Sequence, residues 1–249
     1  MELIASGRDA DVYAYADGLV LRHYRDGRPA GEEAELMRWL RWAGYPVPDV
    51  RRASGPDLVL ERVEGPTLAE AMNDGEVSTG DGGRLLADLH DRLHALEYVG
   101  GQPIIHLDLH PLNVVLGLEG PVVLDWSNAR PGEPGLDVAL TVLILEQLLI
   151  TPGTLPSKPE LEAGLRAGLE EFLAAFSAAV STPYAEHLEA AEEFRRQDPY
   201  QTGEELDRLV EARERAAELA LSHGPVSSAS GLPPDGGSGE RPVDAEDGH

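Results

Sequence analysis

Cysteine is absent from this 249-residue chain, which excludes a disulfide framework, a thiolate metal site and a cysteine nucleophile. Aromatic residues are few: three Trp, seven Tyr and three Phe. Basic residues are scarce, with 20 Lys and Arg against 45 Asp and Glu, a formal net charge of −25. Nucleic-acid backbones are bound by basic surfaces, so no nucleic-acid partner is expected, and the same sign of charge argues against anionic membranes. Long hydrophobic runs are missing as well. The most apolar stretch, 136–150, is too short to span a bilayer and contains Asp137, Glu146 and Gln147. Residues 1–18 hold no basic region ahead of an apolar segment, so no signal peptide is expected and the expected location is cytoplasmic. The acidic balance suits a cationic small molecule slightly, and solubility at least as well. Oligomeric state is not legible.

What remains is enough for one large domain or two small lobes. Val12–Ala16 and Leu19–Tyr24 read as strands around Asp17-Gly18, a strong hairpin signal. Leu36, Met37, Trp39 and Leu40 have helical spacing within 32–42, and Pro46 and Pro48 close that helix. Another strand covers 58–63. Helices are expected over 83–96, 135–150, 160–180 and 204–221, with a second hairpin over 113–126 and a polar Glu186–Glu193 helix face. Strands first and helices later predict an α+β chain. A small N-terminal antiparallel sheet lobe takes 1–63, a mainly helical C-terminal lobe takes 64–224, and an acidic, disordered tail takes 225–249.

The chemistry concentrates in 104–126. Asn113-Val-Val-Leu and Val122-Val-Leu-Asp are apolar arms around Gly117-Leu-Glu-Gly120. A turn centred near Glu119 sets Asn113 directly opposite Asp125, with Cβ atoms roughly 5 Å apart. An amide oxygen and a carboxylate at one end of a hairpin are hard ligands suited to Mg²⁺. Asp108 lies on a loop that Pro111 keeps out of helix, where a phosphoryl-transfer base is needed.

His106-x-Asp108-x-x-x-x-Asn113 followed by Asp125 resembles the catalytic and metal motifs of the protein-kinase-like superfamily. His-x-Asp-x-His-Pro-x-Asn, with Asp125-Trp126 closing the hairpin, is similar to the aminoglycoside phosphotransferase and choline kinase branch. The resemblance runs from about Gly7 to Ile150. It implies a bilobal kinase-like fold that moves the γ-phosphate of ATP to a hydroxyl of a small molecule, with amines and aminoglycosides among the candidates. It further implies Asp108 as the base, Asn113 and Asp125 as Mg²⁺ ligands, and His106 as a structural member of the loop. Asp137 would brace that loop; His110 matches a common second histidine. Backbone groups of Glu61 and Val63 would bind adenine, and Gly7 opens the turn over the phosphates.

Two departures stand out. The phosphate turn has one glycine, Gly7, and the strand position expected to hold Lys carries Arg22. Glu33 matches the family's acidic partner and could pair with Arg22, a surface ion pair being the other reading. These departures motivate an alternative, a nucleotide-binding pseudokinase-like sensor or interaction module without turnover. Transfer to protein hydroxyls is disfavoured, because no activation-loop insert follows Asp125. Finally, His90 and His94 have zinc-protease spacing, but Asp91 stands where Glu is required and no third ligand is evident. The expectation is a helix with two partly exposed histidines.

Overall fold

The computed structural model describes residues 1–7, 9–151, 153 and 159–225. Arg8 and the tail beyond Pro225, for which disorder is expected, lie outside the described residues.

The chain opens with β1 (Leu3–Ser6), β2 (Ala10–Ala16) and β3 (Leu19–Tyr24), continues through α1 (Gly31–Trp42), and returns with β4 (Val50–Ser54) and β5 (Asp57–Glu61). The five strands form one antiparallel sheet in the order β1-β2-β3-β5-β4. Asp17-Gly18 is the turn between β2 and β3, and Gly18 takes φ +67°, a conformation glycine adopts without steric cost. Helix α1 covers the sheet with Ala34, Leu36, Met37 and Leu40. Glu32 and Glu33 in its first turn and Arg41 in its last complement the helix dipole.

The chain leaves the sheet through Gly65. Its φ of +144° and the Leu116 carbonyl lying where a Cβ would go leave room for no other residue. Leu116 N–H in turn donates to the Pro66 carbonyl at 2.9 Å. Helix α2 (Leu68–Asn73) starts at a reciprocal Thr67–Glu70 capping box, and α3 (Thr79–His94) is capped by Ser78. Two small hairpin-like pairs follow: β6 (Ile104–Ile105) with β9 (Arg130–Pro131), and β7 (Val114–Gly117) with β8 (Gly120–Val123). Helix α4 (Pro134–Ile150) then runs through the middle of the helical part, flanked by α5 (Pro159–Ala179), α6 (Leu188–Arg196) and α7 (Gly203–His223). It is apolar on nearly every side, as an interior helix must be, and Pro134 starts it where an N–H has no partner to lose. Among the described residues no helix is long and apolar enough to cross a membrane.

Helices α3 and α5 approach closely because glycines line their contact. A Cβ on Gly83 would meet the Phe172 carbonyl at 2.5 Å, whereas one on Gly80 meets only side-chain ends at 3.5 Å. Gly83→Ala should therefore cost about 1–3 kcal/mol, while Gly80→Ala in the same helix should be neutral or stabilising by up to about 0.5 kcal/mol. Urea unfolding of both variants checks this, and equal effects would contradict the packing described.

Candidate active site

Asp108 sits on the loop that follows β6. One residue earlier, Leu107 holds a left-handed φ of +67°, which a non-glycine residue keeps only when its surroundings impose it. The imposing group is Asp137 in the first turn of α4. Its carboxylate, with no exposed surface, accepts the backbone N–H of His106 at 2.9 Å and of Leu107 at 2.6 Å. From the other side His94 Nε2 approaches the same carboxylate at 3.0 Å and His90 Nδ1 at 3.6 Å. Burial pushes the Asp137 carboxyl up, but hydrogen bonds and charge from the two histidines outweigh it and hold the group well below the carboxylate range. Thr141, one turn further along α4, donates to the Leu109 carbonyl at 2.8 Å. Having used its only proton, it must accept from His90 Nε2 at 3.1 Å.

This overturns the expectation for His90 and His94. Both side chains are enclosed, with exposures of 0% and 5%, and a third candidate ligand does exist: Asp137, whose carboxylate oxygen lies within 4.8 Å of their ring nitrogens. The sequence hid it because it stands on another helix. Both Asp137 oxygens already accept backbone N–H groups, so the cluster braces the loop.

The hairpin carrying Asn113 and Asp125 differs from expectation by one residue. Its turn is the two-residue Leu118-Glu119, with Val114 opposite Val123 and Leu116 opposite Pro121, and Leu124 N–H donates to the Asn113 carbonyl at 2.8 Å. Asn113 therefore faces Leu124, not Asp125. Flanking glycines allow the tighter closure, and Gly120 uses φ +125° to make it. A one-residue slip reverses the faces of a strand, yet Asp125 stays at the Asn113 end. The ladder stops at Val123, and Asp125 itself takes φ +60°.

His106 ties the two acidic segments together. Its Nε2 donates to the Leu124 carbonyl at 2.9 Å, its Nδ1 receives Asp108 N–H at 3.3 Å, and its ring packs on Trp126. Both ring nitrogens are used in the neutral form, and burial pushes the imidazole pKa down accordingly. Asn113 Nδ2 donates to the Asp108 carbonyl at 2.9 Å and reaches its carboxylate at 3.4 Å, which leaves the amide oxygen as the group a cation could use. His110 Nε2 lies 3.6 Å from Asp108 Oδ1.

Arg22 reaches this end of the hairpin from β3. One guanidinium nitrogen is 3.1 Å from Glu33 on α1 and another is 2.5 Å from Asp125 Oδ1. With side-chain exposures of 11% and 8%, Arg22 and Glu33 form an interior pair, not a surface one. The Tyr24 hydroxyl donates to the other Glu33 oxygen. Burial raises the Glu33 carboxyl, only partly opposed by Arg22. Burial also pushes the Asp125 carboxyl up, but Arg22 and the Ser127 hydroxyl, which donates at 2.8 Å, bring it below its ordinary value. Asp125 keeps 38% of its side chain open. It is a charged carboxylate that solvent still reaches.

The remaining expected residues sit around the edge. Gly7 N–H donates to the Ala10 carbonyl at 2.9 Å, closing a turn, but neither a left-handed φ nor a tight contact demands glycine there. Asp9, in that turn, pairs with Arg28 at 2.8 Å and accepts a hydrogen bond from Tyr200 on the loop between α6 and α7. Sequence reading gave no sign of this contact between the ends of the chain. Glu61 ends β5 with its N–H donated to the Asp49 carbonyl, and Val63 lies two residues on, half-buried.

Asp137→Asn should destabilise the protein by about 3 kcal/mol near pH 7, because one oxygen facing an N–H becomes an amide nitrogen. The sign with pH follows from the lowered carboxyl. Its contribution is complete above the ordinary value of 3.8 and is lost as pH falls below it toward the folded-state value. The stability gap between wild type and variant, measured by urea unfolding, should narrow on acidification. A gap that stays constant contradicts the brace.

With this geometry in place, comparison with known proteins is informative. Residues 1–103 and 101–179 match the APH family model, the phosphotransferase enzyme family. Over 98 residues the chain is 34% identical to a Streptomyces coelicolor protein named "Probable serine/threonine-protein kinase"; the match takes in 39% of this chain and 14% of that protein's length. Plasmodium vivax ethanolamine kinase superposes with a TM-score of 0.54 at 11% identity, over 87% of this chain and 82% of its own. The ADP-bound aminoglycoside phosphotransferase APH(2'')-Ib gives 0.52 at 13% identity, over 87% and 93%. The streptomycin–ATP complex of APH(2'')-IIa gives 0.52 at 13%, over 88% and 92%. Identities this low speak to the fold, which is kinase-like, while the family match over most of the chain settles membership: the chain belongs to the APH phosphotransferase enzyme family.

Proposed function

We propose that the protein transfers the γ-phosphate of ATP, with Mg²⁺, to a hydroxyl of a small molecule. The observation that carries this reading is the convergence of Asp108, Asn113 and Asp125 on one loop and hairpin, met from the sheet by the Arg22–Glu33 pair. Residues 1–63 act as the nucleotide lobe and 64–224 as the catalytic lobe. Asp125 and the Asn113 amide oxygen are hard donors, one charged and accessible, and suit Mg²⁺. Bound there, the ion supplies charge neutralisation for the phosphates. Asp108 orients the acceptor hydroxyl and takes its proton at a carboxylate oxygen. Arg22 offers its fork to phosphate oxygens as well as to Asp125. The Glu61 carbonyl and Val63 N–H hold adenine, and the turn at Gly7 covers the phosphates. The positioning of these groups, rather than any covalent step on the protein, is the source of rate.

One observation favours a second reading. Arg22 stands where the family has Lys and already engages Asp125 at 2.5 Å. A nucleotide-binding module without turnover fits that contact if the guanidinium does not yield to the phosphates.

Thermal unfolding with ATP, with Mg²⁺ and with both separates these readings from neither. A midpoint rise that needs both ligands together, with ADP release on adding a hydroxyl acceptor, is the expected result. Asp108→Asn should keep that rise and lower turnover about 10²–10⁴-fold, whereas Asp125→Ala should lose the metal-dependent part of it. Turnover in Asp108→Asn equal to wild type overturns the mechanism. Binding without turnover, restored to turnover by Arg22→Lys, favours the second reading.

A further inference from the structure

A cleft of about 650 Å³ opens beside the catalytic loop, walled by His110, Pro111 and Leu112 of that loop and by α2, α4 and α5. His110 connects it to the proposed base, since its Nε2 lies 3.6 Å from Asp108 Oδ1. Helix α4 is buried along most of its length, and within its second half the side chains left half-open are Ile144, Leu148 and Ile150. Ile144 and Leu148 are one turn apart and both line the cleft. Leu165 and Leu169 repeat the spacing on α5, Met72 joins them from α2, and Leu112 is 61% exposed at the loop. Six apolar side chains thus converge on one cavity next to the proposed base.

The charge on this wall is equally informative. In a chain with 45 acidic residues against 20 basic ones, the described residues lining the cleft include one acidic residue, Glu205, and one arginine, Arg195, besides His110. Arg195 donates to Gln147 at 3.0 Å and pairs with Asp198 at 3.3 Å, and Gln147 donates to the Glu205 carbonyl at 2.7 Å. These polar groups engage one another. Among the described residues the acidity of the chain does not extend to this wall, and a polycation would meet no row of their counter-charges there.

We propose that the acceptor is an apolar alcohol, a small molecule with a largely hydrocarbon body that seats between α2, α4 and α5 and presents its hydroxyl to Asp108. This rests on the phosphotransfer reading above. In the reaction the hydroxyl proton passes to Asp108, the alcohol oxygen bonds to the γ-phosphorus, and the bond from that phosphorus to the β–γ bridging oxygen breaks. The products are a phosphate monoester and ADP.

The test uses the full chain with Mg²⁺, a non-hydrolysable ATP analogue for calorimetric binding and ATP for ADP release. The probes are 1-alkanols from butanol to octanol, with choline and gentamicin as cationic arms. Binding should tighten about fourfold per added methylene, the value expected for burying a CH₂, and choline and gentamicin should not compete. Leu165→Glu should weaken octanol binding at least tenfold while the joint ATP–Mg²⁺ thermal shift persists. If that variant does not fold, Leu165→Ala should weaken octanol about fivefold. Alkanol affinity independent of chain length, or unaffected by Leu165 substitution, overturns the proposal. ADP release with choline or gentamicin alone overturns it too and leaves the phosphotransfer reading standing. Chain-length-dependent binding with no ADP release supports the apolar cleft and counts against phosphotransfer.

Discussion

Everything at the site depends on a carboxylate that no water reaches. Asp137 is an anion at the N-terminal turn of an apolar helix, a place where an unpaired charge is not tolerated. Satisfying it takes two backbone N–H groups and the His94 imidazole, and the backbone groups belong to the residues just before Asp108. The desolvation problem of one side chain thereby becomes a geometric constraint on another. Leu107 accepts a left-handed φ because its N–H must face that carboxylate. The same helix holds the loop again through Thr141, so Asp108 stands on a segment fixed at both ends.

His106 carries the constraint across to the hairpin. A neutral imidazole has one donor and one acceptor, and here the donor fixes the Leu124 carbonyl while the acceptor receives Asp108 N–H. The residue before Asp125 and the residue after Leu107 are held by the same ring. Packing on Trp126, itself bonded through Nε1 to the Val123 carbonyl, keeps that ring in place. The spacing of the acidic groups is thus built from fully used polar atoms in a dry core, an arrangement with little freedom to drift.

Local signals carried most of the secondary structure. Asp17-Gly18 specified its hairpin, and the apolar spacing around Leu36–Leu40 specified a helix, because each is settled within a few residues. Strand β4 escaped because Arg51 and Arg52 are exposed and hide any alternation. Helix α2 is short, and its Thr67–Glu70 capping box was the readable sign. The motif from His106 to Asp125 was legible as chemistry, but its register was not: whether Gly117–Gly120 closes over two residues or three is decided by packing. The partners of Asp137 were beyond reach for another reason. His90 and His94 were visible as a pair, yet helix packing alone brings a carboxylate 43 residues later against them.

Arg22 shows how one substitution recasts a site without removing its charge. A lysine offers one compact ammonium; the guanidinium forks, and here it holds Glu33 with one nitrogen and Asp125 with another while stacking near the Tyr24 ring. Burial alone would disfavour the cation, but two carboxylates oppose that and raise its pKa, so no accessible pH neutralises it. Base cannot release Asp125 from Arg22 by deprotonating the arginine, and acid must protonate Asp125, which the same contact holds below the ordinary carboxylate range. Near neutral pH the link between sheet and hairpin therefore yields to competition, from a cation for Asp125 together with phosphate oxygens for the guanidinium. A cation alone would leave Arg22 with Glu33 as its one carboxylate partner of the two, and phosphate alone would leave Asp125 with the Ser127 hydroxyl and solvent. On the phosphotransfer reading, metal and nucleotide together therefore displace this contact more readily than either does alone.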